Sequence, residues 1–463
     1  MLRRAMLGFG GIAMTDLLVR QSFGGTFSNL SPHSPLLTPK AKRVIYIFLD
    51  GGISQIDWYD YKPLLQRDDG KALPASIHKP KFPFAKTGEL LKSPFNWKQW
   101  GESGTWGSDL FPGVNELVDD LCLIKSLYHE NEDHFTAKNM IFTGSGRDVR
   151  PQLGSWLVYG LGTMNQNLPG FIEIMPGIPK SSSSAFLPAQ FGATAIGRPD
   201  EKAQDRQWDN IGKAAAPEQG RLNLIEKLNH AHEQHAGHER ALDAEIQNME
   251  LAFRMQTEAP DIMSFEGESE ATRRLYGIGE PKTDDFGRAC LLARRFAERG
   301  VRYITLMHST RAFGNLWDQH KDLYEGHKGN AAAVDIPIAG LLHDLKSRGM
   351  LDDTLVMCGS EFGRTPVFEY QNGAEGRLRN GRDHNPHGFT MWFAGAGLKR
   401  GYSHGATDDY GYYAVQDPVS VHDLHATILH LMGIDHTRLT YRHAGRDYRL
   451  TDVYGEVVKA VMA

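Results

Sequence analysis

Apolar runs of strand length punctuate the chain, and several stop abruptly at an acid, a histidine or a pair of glycines. The first is Arg43-Val-Ile-Tyr-Ile-Phe-Leu-Asp50-Gly-Gly. It is rich in β-branched and aromatic residues and does not alternate, which predicts a strand buried on both faces, as in a parallel sheet. Leu121-Cys-Leu-Ile124, Val301–Met307, Thr354–Cys358 and Thr390–Ala394 read the same way. Helical patterns lie around and between them: Val114–Asp120, His134–Phe142 with a stop at Thr143-Gly144, 285–299 closed by Gly300, Asp335–Ser347 and Val421–Met432. Helix-length connections between buried strands imply parallel neighbours with helices on both faces of the sheet.

Other stretches lack this pattern. Residues 61–112 hold many Pro, Lys, Gly and Trp without a period and read as an irregular insertion. Residues 168–216 are loop-rich and carry the Ser181–Ser184 run. Residues 220–258 form the longest helical pattern and contain His230, His232, His235 and His238. Four close histidines invite a metal reading, but their neighbours are Glu, Gln, Arg and Lys, which favours a solvated helix face. The domain reading is a single α/β unit over 41–463, with loop-rich insertions at 61–112 and 168–260.

The N-terminus is different again. Arg3-Arg4 precede a short run of small and apolar residues in 1–20, which resembles a twin-arginine export leader; the bland alternative is a frayed amphipathic segment. Residues 21–40, rich in Ser, Pro, Thr and Gly, read as a linker. No window is long enough to span a bilayer. The expectation is a soluble protein, periplasmic or secreted.

Composition adds exclusions. With 463 residues, 41% hydrophobic and 23% charged, the chain has ample material for a core. A net charge of −5 argues against a nucleic-acid partner, whose footprint is basic. The three cysteines form no CxxC pair and read as buried small hydrophobes.

The candidate chemistry is a matter of position. Asp50 follows the first strand, His308 to His320 the third, and Glu361 the fourth. Loops leaving one edge of a parallel sheet converge, so these side chains can meet. Carboxylate and imidazole together suit a divalent metal. In Trp317-Asp318-Gln319-His320, one residue between Asp318 and His320 lets both reach one ion; an ordinary polar loop is the competing reading. Gly381-Arg382-Asp383-His384-Asn385-Pro386-His387 has two histidines and an acid with no apolar period to explain them. Glu361-Phe-Gly-Arg364 sets an arginine near a strand end, where it grips an oxyanion or simply pairs with Glu361.

Taken together, Asp50-Gly-Gly…Asp57, Trp317-Asp-Gln-His320, Ser360-Glu-Phe-Gly-Arg-Thr-Pro366, Gly381-Arg-Asp-His384, His422-Asp-Leu-His-Ala-Thr-Ile-Leu-His-Leu-Met-Gly433 and Gly445-Arg446…Leu450-Thr-Asp-Val453 resemble the sulfatase-like bacterial family known as domain of unknown function 1501. That family is similar to the alkaline phosphatase and sulfatase superfamily. The resemblance implies an alkaline-phosphatase-like three-layer α/β sandwich with a mostly parallel central sheet. It implies one or two divalent metal ions (Zn, Ca, Mn or Mg) and hydrolysis of a phosphate or sulfate ester, on a small molecule or a glycan. By position, Asp50 matches the first-strand metal aspartate, and Asp318 with His320 an acid–histidine pair. Glu361 stands where the superfamily has Asp followed by His; here Phe362 follows, so His384 replaces the missing ligand and His387 serves a second metal. Counting back from Thr143-Gly144 places His134 at the sulfatase nucleophile, with Thr136 two residues on and Ser54 a rival. Arg364 or Arg382 would hold the non-bridging oxygens. No cysteine lies in a Cys-x-Pro-x-Arg context, which speaks against a formylglycine sulfatase. The alternative is a non-catalytic extracytoplasmic binding protein with a degenerate site.

Overall fold

The structure is a computed structural model that describes residues 30–75, 77, 86–175, 183–197, 251, 255, 260–309, 315–370 and 380–463. The leader, Ser181, Ser182 and the four-histidine segment lie outside the described residues. The strands that matter for the site are β1 (Arg43–Leu49), β2 (Lys86–Leu90), β3 (Leu121–Tyr128), β4 (Phe171–Ile174), β5 (Thr194–Ile196), β6 (Tyr303–His308), β7 (Thr354–Gly359), β8 (Gly363–Tyr370), β9 (Arg382–Asn385), β10 (Phe389–Ala394), β11 (Tyr402–His404) and β12 (Val419–Ser420). The helices are α1 (His134–Thr143), α2 (Leu153–Leu161), α3 (Asp284–Glu298), α4 (Leu323–Ser347) and α5 (Val421–Leu431).

The central sheet runs β11-β3-β10-β7-β1-β6-β4-β5, with β12 added beside β3. β1 is parallel to both β6 and β7. Only β10 runs against the rest, pairing antiparallel with β3 and β7. The interior of β1 from Val44 to Leu49 is wholly buried, which explains its unbroken apolar run. Side chains of one strand alternate between faces. On one face of the sheet, Tyr46 and Phe48 meet Phe142 of α1, and Tyr303 packs beside Gly154 of α2. His308, of opposite parity to Tyr303, meets Phe286 of α3 on the other face. Helices therefore cover both sides, giving three layers.

Several expectations change. α4 begins twelve residues before the expected Asp335, because Gly326 and Gly329 disguise its period while packing still holds it helical. Val114–Asp120 is a short helical turn at Pro112–Asn115 and a 3-10 turn at Val118–Asp120. The stretch read as loop-rich from 168 contributes β4 and β5 to the sheet; at four and three residues they are too short to show a period. The three cysteines are buried thiols, as the sequence suggested. Among the described residues no helix is long and apolar enough to cross a membrane.

Candidate metal centre

Register sets the site. Leu49 lies opposite His308, and Phe48 opposite Gly359, so Asp50, Ser309 and Ser360-Glu361 leave the sheet at one edge. Gly51 and Gly52 follow with φ of +119° and +83°. A side chain on Gly51 would press on the backbone of Asn315, Trp317 and Asp318 at 2.8 Å. The glycine thus lets the 315–320 loop lie directly on the end of β1. Trp317, fully buried, anchors that loop by donating Nε1–H to His308 Nδ1 at 3.0 Å. The next residue, Asp318, is thereby held over the sheet edge.

Three histidines surround Asp318. His134 opens α1, a helix capped by Asp133 at one end and by Gly144, with φ 70°, at the other. His320 follows on the loop. His384 lies on β9, opposite Arg364 of β8. His320 Nε2 is 2.9 Å from Asp318 Oδ1 and 3.0 Å from His384 Nε2. His384 Nε2 is 3.3 Å from Asp318 Oδ1, and His134 Nε2 is 3.1 Å from Asp318 Oδ2. Ligands bound tetrahedrally at 2.0–2.1 Å stand about 3.3 Å apart, so these spacings, which are also those of hydrogen bonds, suit donors gathered on one cation.

The far nitrogens complete the picture. His134 Nδ1 meets Glu361 Oε1 at 2.6 Å, His384 Nδ1 meets the Glu132 carbonyl at 2.7 Å, and His320 Nδ1 is bonded to Glu369. Each ring gives its Nδ1 proton to an oxygen and turns Nε2 toward the common point. Such partners fix the tautomer and raise ligand basicity. His134 Nε2 is buried and has no well-formed hydrogen bond among the described residues. On these grounds the four side chains fit a divalent metal, and three imidazoles with one carboxylate suit zinc or another transition ion better than calcium or magnesium.

Without a cation, protons take up the charge. Burial would raise the Asp318 pKa, but Arg364 and the three histidines hold its carboxyl far below the usual range. Burial pulls His320 down, yet hydrogen bonds to Asp318 and Glu369 prevail and lift it to about 9. Burial keeps His384 at about 4, against the pull of Asp318. The metal-free site therefore carries a proton on His320 facing a neutral His384.

The other sequence candidates fall elsewhere. Asp50 is fully buried, with Oδ1 2.6 Å from Lys138 Nζ and Oδ2 accepting from Ser309. Glu361 sits behind His134, and its Oε2 accepts from Gly51 N at 3.1 Å and Ser360 Oγ at 2.9 Å. His387 stands apart from the four, against the rings of Tyr412 and Tyr413. Thr136 turns its hydroxyl back onto Asp133, the residue that caps its helix. Ser54 is buried with Oγ on Asp57 at 2.5 Å.

Both arginines, expected from the sequence to hold non-bridging oxygens, make hydrogen bonds within the chain. Arg364 is fully buried and donates to the carbonyls of Gly51, Gly52 and Arg382 and to Asp318 Oδ1 at 2.6 Å. Arg382 is equally buried and donates to Asp57 and to the carbonyls of Thr365, Leu91 and Lys92. Their fork-shaped donors tie loops together.

Two contributors were not picked out from the sequence. Glu369 lies next to the end of β8, where only tertiary pairing reveals it. Lys138 had a signal: it is four residues after His134, hence on the same face of α1.

No curated protein matches the chain. Solved structures with a similar course of the chain include a sulfatase, PsFucS1, from Pseudoalteromonas sp. (12% identity, 92% of this chain and 71% of that one, TM-score 0.34). Others are the lipoteichoic acid synthase LtaP from Listeria monocytogenes (10%, 90% and 78%, 0.35) and an alkaline phosphatase superfamily protein from Vibrio parahaemolyticus (11%, 93% and 78%, 0.35). The family model described as "Protein of unknown function (DUF1501)" matches residues 41–462, nearly the whole chain, and the protein belongs to that family.

Proposed function

We propose that the protein is a metal-dependent hydrolase of phosphate or sulfate esters. The observation that carries the metal half is the set of three Nε2 atoms turned onto Asp318 while every Nδ1 is held from behind. The ester half is supported by the family resemblance of the motifs at Asp50, Asp318, Glu361 and His384. His134, Asp318, His320 and His384 would hold the ion. When bound, a divalent cation supplies a Lewis acid that polarises the ester and eases deprotonation of the attacking group. The rest belongs to the chain. Glu361 and Glu369 orient His134 and His320, and Arg364 fixes Asp318. Asp383 is placed to carry a proton: burial raises its pKa, and its buried Oδ2 has no hydrogen-bond partner among the described residues. Export by the twin-arginine route belongs to the same reading and is supported by Arg3-Arg4.

A second reading is a binding protein without turnover. It is favoured by the engagement of Arg364, Arg382 and the Thr136 hydroxyl in hydrogen bonds within the chain. The deciding experiment is to load purified protein with zinc or manganese and assay aryl phosphates, phosphodiesters and aryl sulfates. Hydrolysis that needs the metal and disappears in Asp318→Ala is expected. A stoichiometrically loaded protein inert across the panel would overturn the hydrolase and leave the binder.

A further inference from the structure

We infer that the Lys138 ammonium fills the place that a second divalent cation would take, so that the centre holds one metal ion beside one built-in positive charge. This rests on the metal reading above and deepens it. Asp50 leaves the first strand at the sheet edge and is fully buried. A buried carboxylate must be paired. Here its Oδ1 is 2.6 Å from Lys138 Nζ, and the same ammonium donates to Asn315 Oδ1 at 2.8 Å. Oxygens from two different loops thus converge on one small cation, an arrangement that would equally serve a hard divalent ion.

Lys138 reaches this point because it lies one turn after His134 on α1, so the helix delivers a metal ligand and a lysine to adjoining positions. Glu361 spans the gap between them: Oε1 meets His134 Nδ1 at 2.6 Å and Oε2 accepts from Gly51 N, next to Asp50. The neighbouring trio of His320, Glu369 and Asp383 is also spaced to hold a cation, but it shares the His320 ring with the first group. It would use His320 Nδ1, and a neutral imidazole has one lone pair, already turned toward Asp318 and His384. With Asp50 occupied by lysine and His320 used once, the described residues of this centre supply donors for one ion.

The test is metal content per chain, by elemental analysis of folded, gel-filtered protein after metal loading. Wild type is expected to hold one ion, Lys138→Arg one, and Lys138→Met two, because the freed Asp50 and Asn315 oxygens then take a cation. Two ions in wild type, or one in Lys138→Met, would overturn the inference while the metal reading stands. No ion in any form would overturn both. Since Lys138→Met leaves Asp50 buried without its partner and can misfold, Asp50→Asn supplies an independent check. It should keep its single ion, and loss of that ion would show Asp50 to be a ligand and refute the role given to Lys138.

Discussion

Glu369→Gln is the most informative perturbation of the proposed centre. The carboxylate bonds to His320 Nδ1, on the side away from Asp318. Gln has the same length and still accepts from Nδ1–H, but without the charge that makes the imidazole a better donor to metal. Loss of such an outer partner weakens metal binding by about 10–100-fold. That corresponds to about 1.4–2.8 kcal/mol, since a factor of ten is about 1.4 kcal/mol. The assay is competition against a chelator of known affinity, with Glu325→Gln as control: Glu325 is exposed on α4 and makes the same chemical change away from the site. The metal-free melting temperature, measured in parallel, separates weaker binding from a weaker fold. An affinity for Glu369→Gln within roughly twofold of wild type would refute the role given to that carboxylate, because the expected loss is at least about tenfold.

Three further outcomes follow from the same geometry. Arg364→Met removes the fully buried partner of a partly exposed Asp318 and should cost up to about 3 kcal/mol in urea unfolding of metal-free protein, and Arg364→Lys should not restore it, because lysine cannot serve Gly51, Gly52, Arg382 and Asp318 at once. His320 is lifted from 6.5 to about 9 in the metal-free fold, so its stabilising contribution is complete below pH 6.5 and is lost as pH rises through 9. Metal-free stability should therefore fall across that window while metal affinity rises, because the cation must displace the His320 proton; a pH-independent affinity from 6.5 to 9 would contradict this. Thr136→Ala should lose no more than about 1 kcal/mol of stability, a helix-terminus effect, and keep both metal and turnover; abolished turnover with metal retained would return Thr136 to the role of nucleophile.

Much of the layer arrangement could be read in the sequence because β1, β6 and β7 are buried on both faces and therefore unbroken in their apolar character. β4 and β5 could not, since so few residues carry no period, and β8 and β9 are set by pairing with each other rather than by local pattern. The site was legible in part for the same reason. Asp318, His320 and His384 stand beside Gly, Pro or Trp in segments with no amphipathic explanation, so their chemistry shows. The carbonyl partners of Arg364 and Arg382 could not be read from residue type: an arginine that grips an anion and one that ties carbonyls look identical until burial and partners are known. Asp50 illustrates the opposite case, a strand-end acid whose partner, Lys138, lies 88 residues away in the chain, a distance no local pattern bridges.

The claim on which the rest depends is that His134, Asp318, His320 and His384 together hold one cation. Anomalous diffraction at the absorption edge of the loaded metal tests it most directly. A single strong peak about 2.0–2.2 Å from the three Nε2 atoms and an Asp318 oxygen is expected. No peak there, or a peak ligated by Asp50 and Glu361 in their stead, would contradict it.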